Sequence, residues 1–287
     1  MRILTAEDTR NALPMADAID AMRLAFGPDT EAPQRQLVGS SFIMPGRVQQ
    51  HVAIKVVSTV PGNPVGVVAV FDGEGAPVGL VDGPTLTAIR TGAGAGLATD
   101  MLAPRDATTF AMIGAGAMAR DQITAICEVR DIARIVVWSR DLSKAAALAD
   151  DVGGSHADRP DEAVRDAAIV TTATPSTTPL FVVSALQPRV HINAIGAYTP
   201  AMAEIPPEFI RDAFVVVEDR SAAAQEAGDL IQADKKPDAT MAELLASPAA
   251  RQYERTLFKS VGIATMDVAA AVRALENAER MDLGTVV

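Results

Sequence analysis

One cysteine, Cys127, stands in a chain of 287 residues. It can form no intrachain disulfide, which fits a reducing cytoplasm. It lies on what reads as the apolar face of a helix and is expected in the core, not as a reactive thiol. Positive charge is also scarce. Lys and Arg number 25 against 36 Asp and Glu, a net charge of −11. That balance argues against nucleic acid or an anionic membrane as a partner. No basic N-terminal segment precedes an apolar run, and no uninterrupted apolar stretch could span a bilayer. Secretion and membrane insertion are therefore not expected, and no internal repeat is visible. What is abundant is hydrophobic residues, at 49 %. They suffice for a sizeable core, and the length suits two domains or one large one.

The most informative stretch is residues 110–119. An apolar strand, Phe110-Ala111-Met112-Ile113, runs into Gly114-Ala115-Gly116-Ala117 and opens a helix from about Met118. The spacing is Gly-x-Gly-x-x-Ala. Gly114 permits a tight turn, Gly116 lets a pyrophosphate approach the backbone, and Ala119 lets the helix sit close to the sheet. The helix N-terminus offers free N–H groups to phosphates. A glycine turn that serves only packing is the bland alternative, and the strand before and helix after favour a dinucleotide. The second strand, residues 134–139, ends at the position that selects the cofactor. An acidic residue there would accept from both ribose hydroxyls of NAD. Ser139-Arg140 suits a 2′-phosphate instead, so NADP(H) is favoured over NAD(H). Asp141 could take the acidic role or could cap the helix Leu142–Asp151. A buried-type strand at 167–173 leads into Thr174-Pro175-Ser176, where Thr174 and Ser176 could touch the cofactor. Further strands at 190–195 and 214–217 alternate with helices. The pattern is α/β, a doubly wound parallel Rossmann sheet over residues 105–265.

The first third reads differently. Thr5 to Asp8 forms a capping box, and a helix follows over 14–26. Strands are expected at 41–45, 52–59, 67–72 and 78–82, with Asp72-Gly73-Glu74-Gly75 as a hairpin turn. Turn-joined strands imply an antiparallel sheet. Lys55 interrupts the apolar run Val52-Ala53-Ile54-Lys55-Val56-Val57. A lysine there points out from an edge strand, the commoner case, or into a functional pocket. Desolvated, it would have a lowered pKa and could exchange a proton near neutrality. Arg35 carries a planar fork that would suit a carboxylate, though surface arginine is the default. A helix over 84–103 contains Gly92, Gly94 and Gly96. Each interior glycine costs about 1 kcal/mol against alanine, so another helix or a ligand must approach there. Arg90, just before them, could reach a phosphate or form a surface ion pair. An amphipathic helix over 266–281 could pack back on the first domain. The expected substrate-binding and dimerisation domain, α+β and discontinuous, is therefore 1–104 completed by 266–287.

Several segments together resemble the ornithine cyclodeaminase/mu-crystallin family. They are Ile54-Lys55-Val56-Val57, Pro61-Gly62-Asn63-Pro64, Leu86 to Thr91, Ile113-Gly114-Ala115-Gly116, Asn193-Ala194-Ile195-Gly196 and Phe258-Lys259-Ser260-Val261-Gly262. They occur in the family's order over nearly the whole chain. The resemblance implies that Arg35 holds a substrate carboxylate and that Lys55 is the active-site lysine. It implies that Arg90 contacts a cofactor phosphate and that Ala117 and Met118 contact the dinucleotide. Ser139 and Arg140 fall at the adenosine ribose, with Thr174, Ile195 and Ser260 at the nicotinamide. Val261 would touch substrate. A homodimer is implied as well.

The departures from the family pattern carry weight. Cyclodeaminases place an aspartate shortly after the Asn-Ala-x-Gly strand and a lysine four residues on. Here those positions are Tyr198 and Met202. A phenol is a poor base at neutral pH, which speaks against ornithine cyclodeamination. The first loop region is also shorter than usual, so the pocket differs. Imine reduction needs less: a hydride donor, a carboxylate clamp and one proton donor, supplied by Lys55 with Tyr198 as a second candidate. The expectation is an NAD(P)H-dependent reductase of small or cyclic ketimines, with delta-1-pyrroline-2-carboxylate as model substrate. The alternatives are an ornithine cyclodeaminase or alanine-type dehydrogenase, and a non-catalytic, crystallin-like NADPH-binding protein.

Overall fold

The computed structural model describes residues 1–60, 65–247 and 253–287. In chain order these fold as β1 (Arg2–Leu4), α1 (Ala6–Ala12), α2 (Met15–Ala25), β2 (Thr30–Glu31), β3 (Gln36–Val38), β4 (Ser41–Val48), β5 (His51–Ser58), β6 (Gly66–Phe71), β7 (Pro77–Asp82) and α3 (Gly83–Leu102). The middle holds β8 (Thr109–Ile113), α4 (Ala119–Val129), β9 (Arg134–Trp138), α5 (Leu142–Asp151), β10 (Ser155–His156), α6 (Pro160–Val164), β11 (Ile169–Thr172) and β12 (Val190–Ala194). It continues with α7 (Pro207–Asp212), β13 (Phe214–Val217), α8 (Arg220–Glu226), α9 (Gly228–Ala233), β14 (Ala239–Thr240), α10 (Met241–Ala246) and β15 (Arg255–Lys259). The chain closes with α11 (Ala264–Met281) and β16 (Thr285–Val286).

Two compact units result: residues 1–94 with 262–287, and residues 95–261. The first break falls inside α3, ahead of the expected residue 104. The reason is that α3 serves both units. A Cβ on Gly94 would meet Met266 Cε of α11 at 2.7 Å, whereas Thr99 accepts a 2.9 Å hydrogen bond from Asn193 of β12.

In the first unit the sheet order is β16-β1-β7-β6-β5-β4-β2, with β3 paired to β4. Strands β4, β5, β6 and β7 pair antiparallel in sequence. At the β6–β7 turn Asp72 Oδ1 accepts from the backbone N–H of Glu74 and Ala76, both at 2.9 Å. The sheet is nonetheless mixed, because β1 pairs parallel to β7; a strand of three residues shows no periodicity to reveal it. The Thr5–Asp8 capping box forms and starts α1. Helix α11 covers one face of the sheet. Gly79 lets it come close, since a Cβ there would fall 2.5 Å from Leu275 Cδ2. Successive side chains of a strand point to opposite faces. Ala53 and Lys55 therefore turn inward with Val68 and Val81, while Val52, Ile54, Val56 and Val67 point out, 36–39 % exposed. Strand β5 is internal to the sheet, so the edge-strand reading of Lys55 is overturned.

The second unit is a parallel eight-stranded sheet in the order β10-β9-β8-β11-β12-β15-β13-β14. From β8 the chain winds one way through β9 and β10, then returns to β11 on the other side. Ligands bind outside the strand ends at such a reversal. Strand β8 shows why the sheet is buried on both faces. Phe110 and Met112 pack with Ile123 and Ile126 of α4; Ala111 and Ile113 pack with Val170 and Phe209 on the other side. Cys127 does not share that core and is exposed. One position past Ile126, it has turned about 100° away from the sheet. Among the described residues no helix is long and apolar enough to cross a membrane.

Candidate active site

The glycine turn leaves β8 with Gly114 at φ 118°, a conformation that favours glycine. A Cβ on Gly114 would also press within 2.6 Å of Ala173 O. Nothing lies within 4 Å of where a Gly116 side chain would begin, so that backbone is open to a ligand. Ala117 and Met118 complete the turn. Met118 is the N-cap of α4 and makes no side-chain cap, which leaves N–H groups of the first turn available. Ala119 is 1 % exposed against the core. A cavity of about 300 Å³ opens here, bounded by Gly114 and Gly116, by Ser139, Arg140 and Lys144, and by Thr174 and Ser176. The residues fit a dinucleotide: an open glycine backbone for the diphosphate, and a hydroxyl and guanidinium at the end of β9. Asp141 is the N-cap of α5, accepting from Lys144 N–H at 3.3 Å and from Ser143 Oγ at 2.5 Å. Those bonds, the Ser143 hydroxyl first, hold its carboxyl below the usual range.

Two buried glutamates that the sequence did not single out hold strand ends of this sheet. Glu204 is fully buried. Its Oε1 accepts from Thr174 N–H at 2.7 Å and Thr174 Oγ1 at 2.8 Å. Its Oε2 accepts from Thr172 Oγ1 at 3.0 Å and Gly196 N–H at 2.7 Å. One carboxylate thus pins the ends of β11 and β12. Burial pushes its pKa up, with the Lys259 ammonium pulling the other way. Asp229 accepts from the N–H groups of Glu204 and Ile205 and pairs with buried Lys259 at 3.0 Å. Glu218, just past β13, accepts from Ser260 Oγ and, at 2.9 Å, from Val261 N–H. Ser260 N–H donates to Ala194 O at 3.1 Å, and Ile195 N–H to Thr172 O at 2.9 Å. Thr174, Ile195, Ser260 and Val261 are therefore tied to the same strand ends. Tyr198 lies on the loop after β12, 47 % exposed.

The first unit holds the cationic cluster. Lys55 is 3 % exposed. Its Nζ donates to Thr87 Oγ1 at 2.6 Å and to Asp267 Oδ1 at 3.1 Å. Burial drops its pKa to about 8; Asp267 opposes the drop, while Arg90 and Arg35 add to it. Arg90 Nε donates to the same Asp267 oxygen at 3.1 Å, so part of the guanidinium expected on a phosphate is engaged here. Its Nη1 end lies where a Cβ on Gly262 would come within 2.9 Å, and Gly262 has φ 79°. Arg35 lies over the Phe42 ring, 5.0 Å from its centroid. Asp267 joins Lys55 and Arg90 from α11. The one trace of it in the sequence is an acid beside Val268 on the apolar stripe of α11. Burial alone would raise its pKa, but Arg90 and Lys55 hold it below the usual range. The motif Pro61-Gly62-Asn63-Pro64 lies outside the described residues.

Several known proteins are similar to this chain over its whole length. A delta(1)-pyrroline-2-carboxylate reductase of Bacillus cereus is 34 % identical, covering 100 % of this chain and 99 % of its own. The structure of the Thermococcus litoralis delta(1)-pyrroline-2-carboxylate reductase, in complex with NADH and L-proline, superposes with a TM-score of 0.93 at 29 % identity over 100 % of both chains. An archaeal alanine dehydrogenase dimer with bound NAD gives 0.91 at 26 % identity, covering 100 % of this chain and 98 % of that one. The model of the ornithine cyclodeaminase/mu-crystallin family matches residues 16–282, and the chain belongs to that family.

Proposed function

We propose that the chain is an NAD(P)H-dependent reductase of small or cyclic ketimines, with delta-1-pyrroline-2-carboxylate going to proline as the model reaction. The observation that carries this reading is Lys55: a buried ammonium held by a hydroxyl and a carboxylate, with its proton affinity brought near neutrality. Imine reduction adds a hydride to the C=N carbon and a proton to the nitrogen. A bound nicotinamide supplies the hydride. Lys55 gives up the proton and is left as a neutral amine, the form that burial favours. Arg35 pairs with the substrate carboxylate through its fork. Thr87 and Asp267 hold the ammonium in one place. Tyr198, exposed as it is, is the second candidate for a proton donor, and Val261 would border the substrate.

For the cofactor, Gly114, Gly116, Ala117 and Met118 would hold the diphosphate, and Thr174, Ile195 and Ser260 the nicotinamide side. Arg90 keeps a phosphate role only through its Nη nitrogens, since Nε is engaged by Asp267. The commitment of Asp141 to its cap favours a 2′-phosphate at Ser139 and Arg140, hence NADP(H) over NAD(H). The T. litoralis relative holds NADH, so both cofactors belong in the assay. The outward row Val52, Ile54, Val56 and Val67 is the face we assign to a homodimer. A lone cysteine suits a reducing cytoplasm.

Of the other readings, cyclodeamination is disfavoured by Tyr198 and Met202 standing where the family's aspartate and lysine would be. A silent binding protein would not need a buried lysine poised to lose its proton. The alanine-dehydrogenase reading is favoured by the archaeal relative and is tested beside the first. Purified protein is assayed with delta-1-pyrroline-2-carboxylate, with other ketimines, and with pyruvate plus ammonia. Oxidation of NADPH or NADH by a ketimine supports the proposal. Turnover with pyruvate and ammonia alone would replace it with the dehydrogenase, and tight cofactor binding without turnover would replace it with the binding protein.

A further inference from the structure

Asp267 stands in the first turn of α11 with its side chain 2 % exposed. One of its oxygens, Oδ1, receives both the Lys55 ammonium and the Arg90 guanidinium, each at 3.1 Å. The other, Oδ2, is buried and accepts no hydrogen bond. On β5, Lys55 has only apolar neighbours across the sheet, Met44 on β4 and Val68 on β6. Facing it from α3 are Thr87 and Arg90, from α11 Asp267, and from the segment before β3 the charge of Arg35. Lys55 and Arg90 thus share one oxygen of a single carboxylate, and the charge of Arg35 acts on the same lysine. A buried ion pair adds little stability over a well-packed apolar pair, while losing one partner strands the other charge. Stability alone is a weak reason for such a cluster.

We propose that Asp267 is a positioning residue that keeps Lys55 charged and fixed toward Thr87, and so sets the alkaline limit of imine reduction. The part about the alkaline limit rests on the proposed reaction; the coupling of Asp267 to Lys55 does not. Without the carboxylate, burial and two arginines would all act to strip the proton from Lys55. Without Arg90, one repulsion would vanish and Asp267 would serve Lys55 alone. The two changes must therefore move the lysine in opposite directions, which general damage to the pocket would not do.

The test reads Lys55 directly. The chain has five lysines, so the ¹³Cε signals of labelled lysine in the full-length protein are few, and Lys55→Met identifies the relevant one. Its titration midpoint is followed in wild type, Asp267→Asn and Arg90→Gln. Asp267→Asn is expected to lower the midpoint at least tenfold in proton affinity, and Arg90→Gln to raise it. Asp267→Glu should restore most of the wild-type value. If Asp267→Asn fails to fold, the upward shift in Arg90→Gln still decides. Midpoints that stay together in all folded variants would overturn the proposal. The alkaline limb of kcat for imine reduction should then move with each midpoint. A limb that ignores a shifted midpoint would overturn the kinetic half. A protein that reduces no ketimine would sink the proposed function and that half, and the resonance would still report the coupling.

Discussion

Lys55→Met should slow imine reduction sharply while leaving the cofactor cavity intact. Positioned proton transfer contributes about 10²–10⁴-fold, so kcat should fall by about that factor with the Kd for cofactor unchanged, as measured by fluorescence titration of NADPH. In the proposed reaction the required form is the ammonium. With a pKa of about 8, reduction should hold steady below that pH and decline above it; the reverse oxidation, which needs the neutral amine, should rise there. At the ribose end, Arg140→Ala should raise KM for NADPH by about tenfold, the cost of roughly 1.4 kcal/mol, with KM for NADH little changed. Equal effects on both would show that Arg140 does not read a 2′-phosphate. Lys55 stood out in the sequence because a charge broke an apolar run, but its direction did not. The partner that decides it, Asp267, lies 212 residues away. Glu204 and Glu218 were hidden for the same reason: each binds backbone that only the folded sheet brings near.

The end of strand β12 is fastened by Glu204 and Ser260, and one of its buried residues is His191. Fully buried, its Nδ1 lies 2.9 Å from Thr256 Oγ1 and its Nε2 3.1 Å from Asn193 Oδ1. The amide oxygen can only accept, so Nε2 carries the proton and Nδ1 accepts from Thr256. Burial lowers the pKa from 6.5 to about 3. Between those values the unfolded chain binds the proton and the native chain does not, so stability falls as pH drops from 6.5 toward 3. The slope from this residue is about 1.4 kcal/mol per pH unit. Urea unfolding at pH 7 and pH 5 should show that loss in wild type, and His191→Gln should lack it despite lower stability at pH 7. Equal losses in both proteins would refute it. Most of these elements were legible in advance. The strand expected at Phe214–Val217 and the helix expected at Leu142–Asp151 form with those bounds. The insertion of β15 between β12 and β13 was not legible, because spacing along a chain does not order strands in a sheet.

For the molecule as a whole, the outward face of the first sheet is the feature that a lone copy does not explain. Its row of Val52, Ile54, Val56 and Val67 is apolar and exposed. Soluble monomers rarely leave such contiguous patches open. The homodimer assigned to it should appear by light scattering as twice 29.9 kDa, and Val56→Asp should shift the mass toward one copy. A wild-type monomer, or a dimer untouched by Val56→Asp, would remove that assignment. The central claim, that this chain carries a hydride from a nicotinamide to a C=N carbon, has a more direct test. Delta-1-pyrroline-2-carboxylate is incubated with the protein and NADPH dideuterated at the nicotinamide C4, and the product is analysed by mass spectrometry. Proline bearing one deuterium at Cα is the predicted result; no proline, or proline without deuterium, would contradict it.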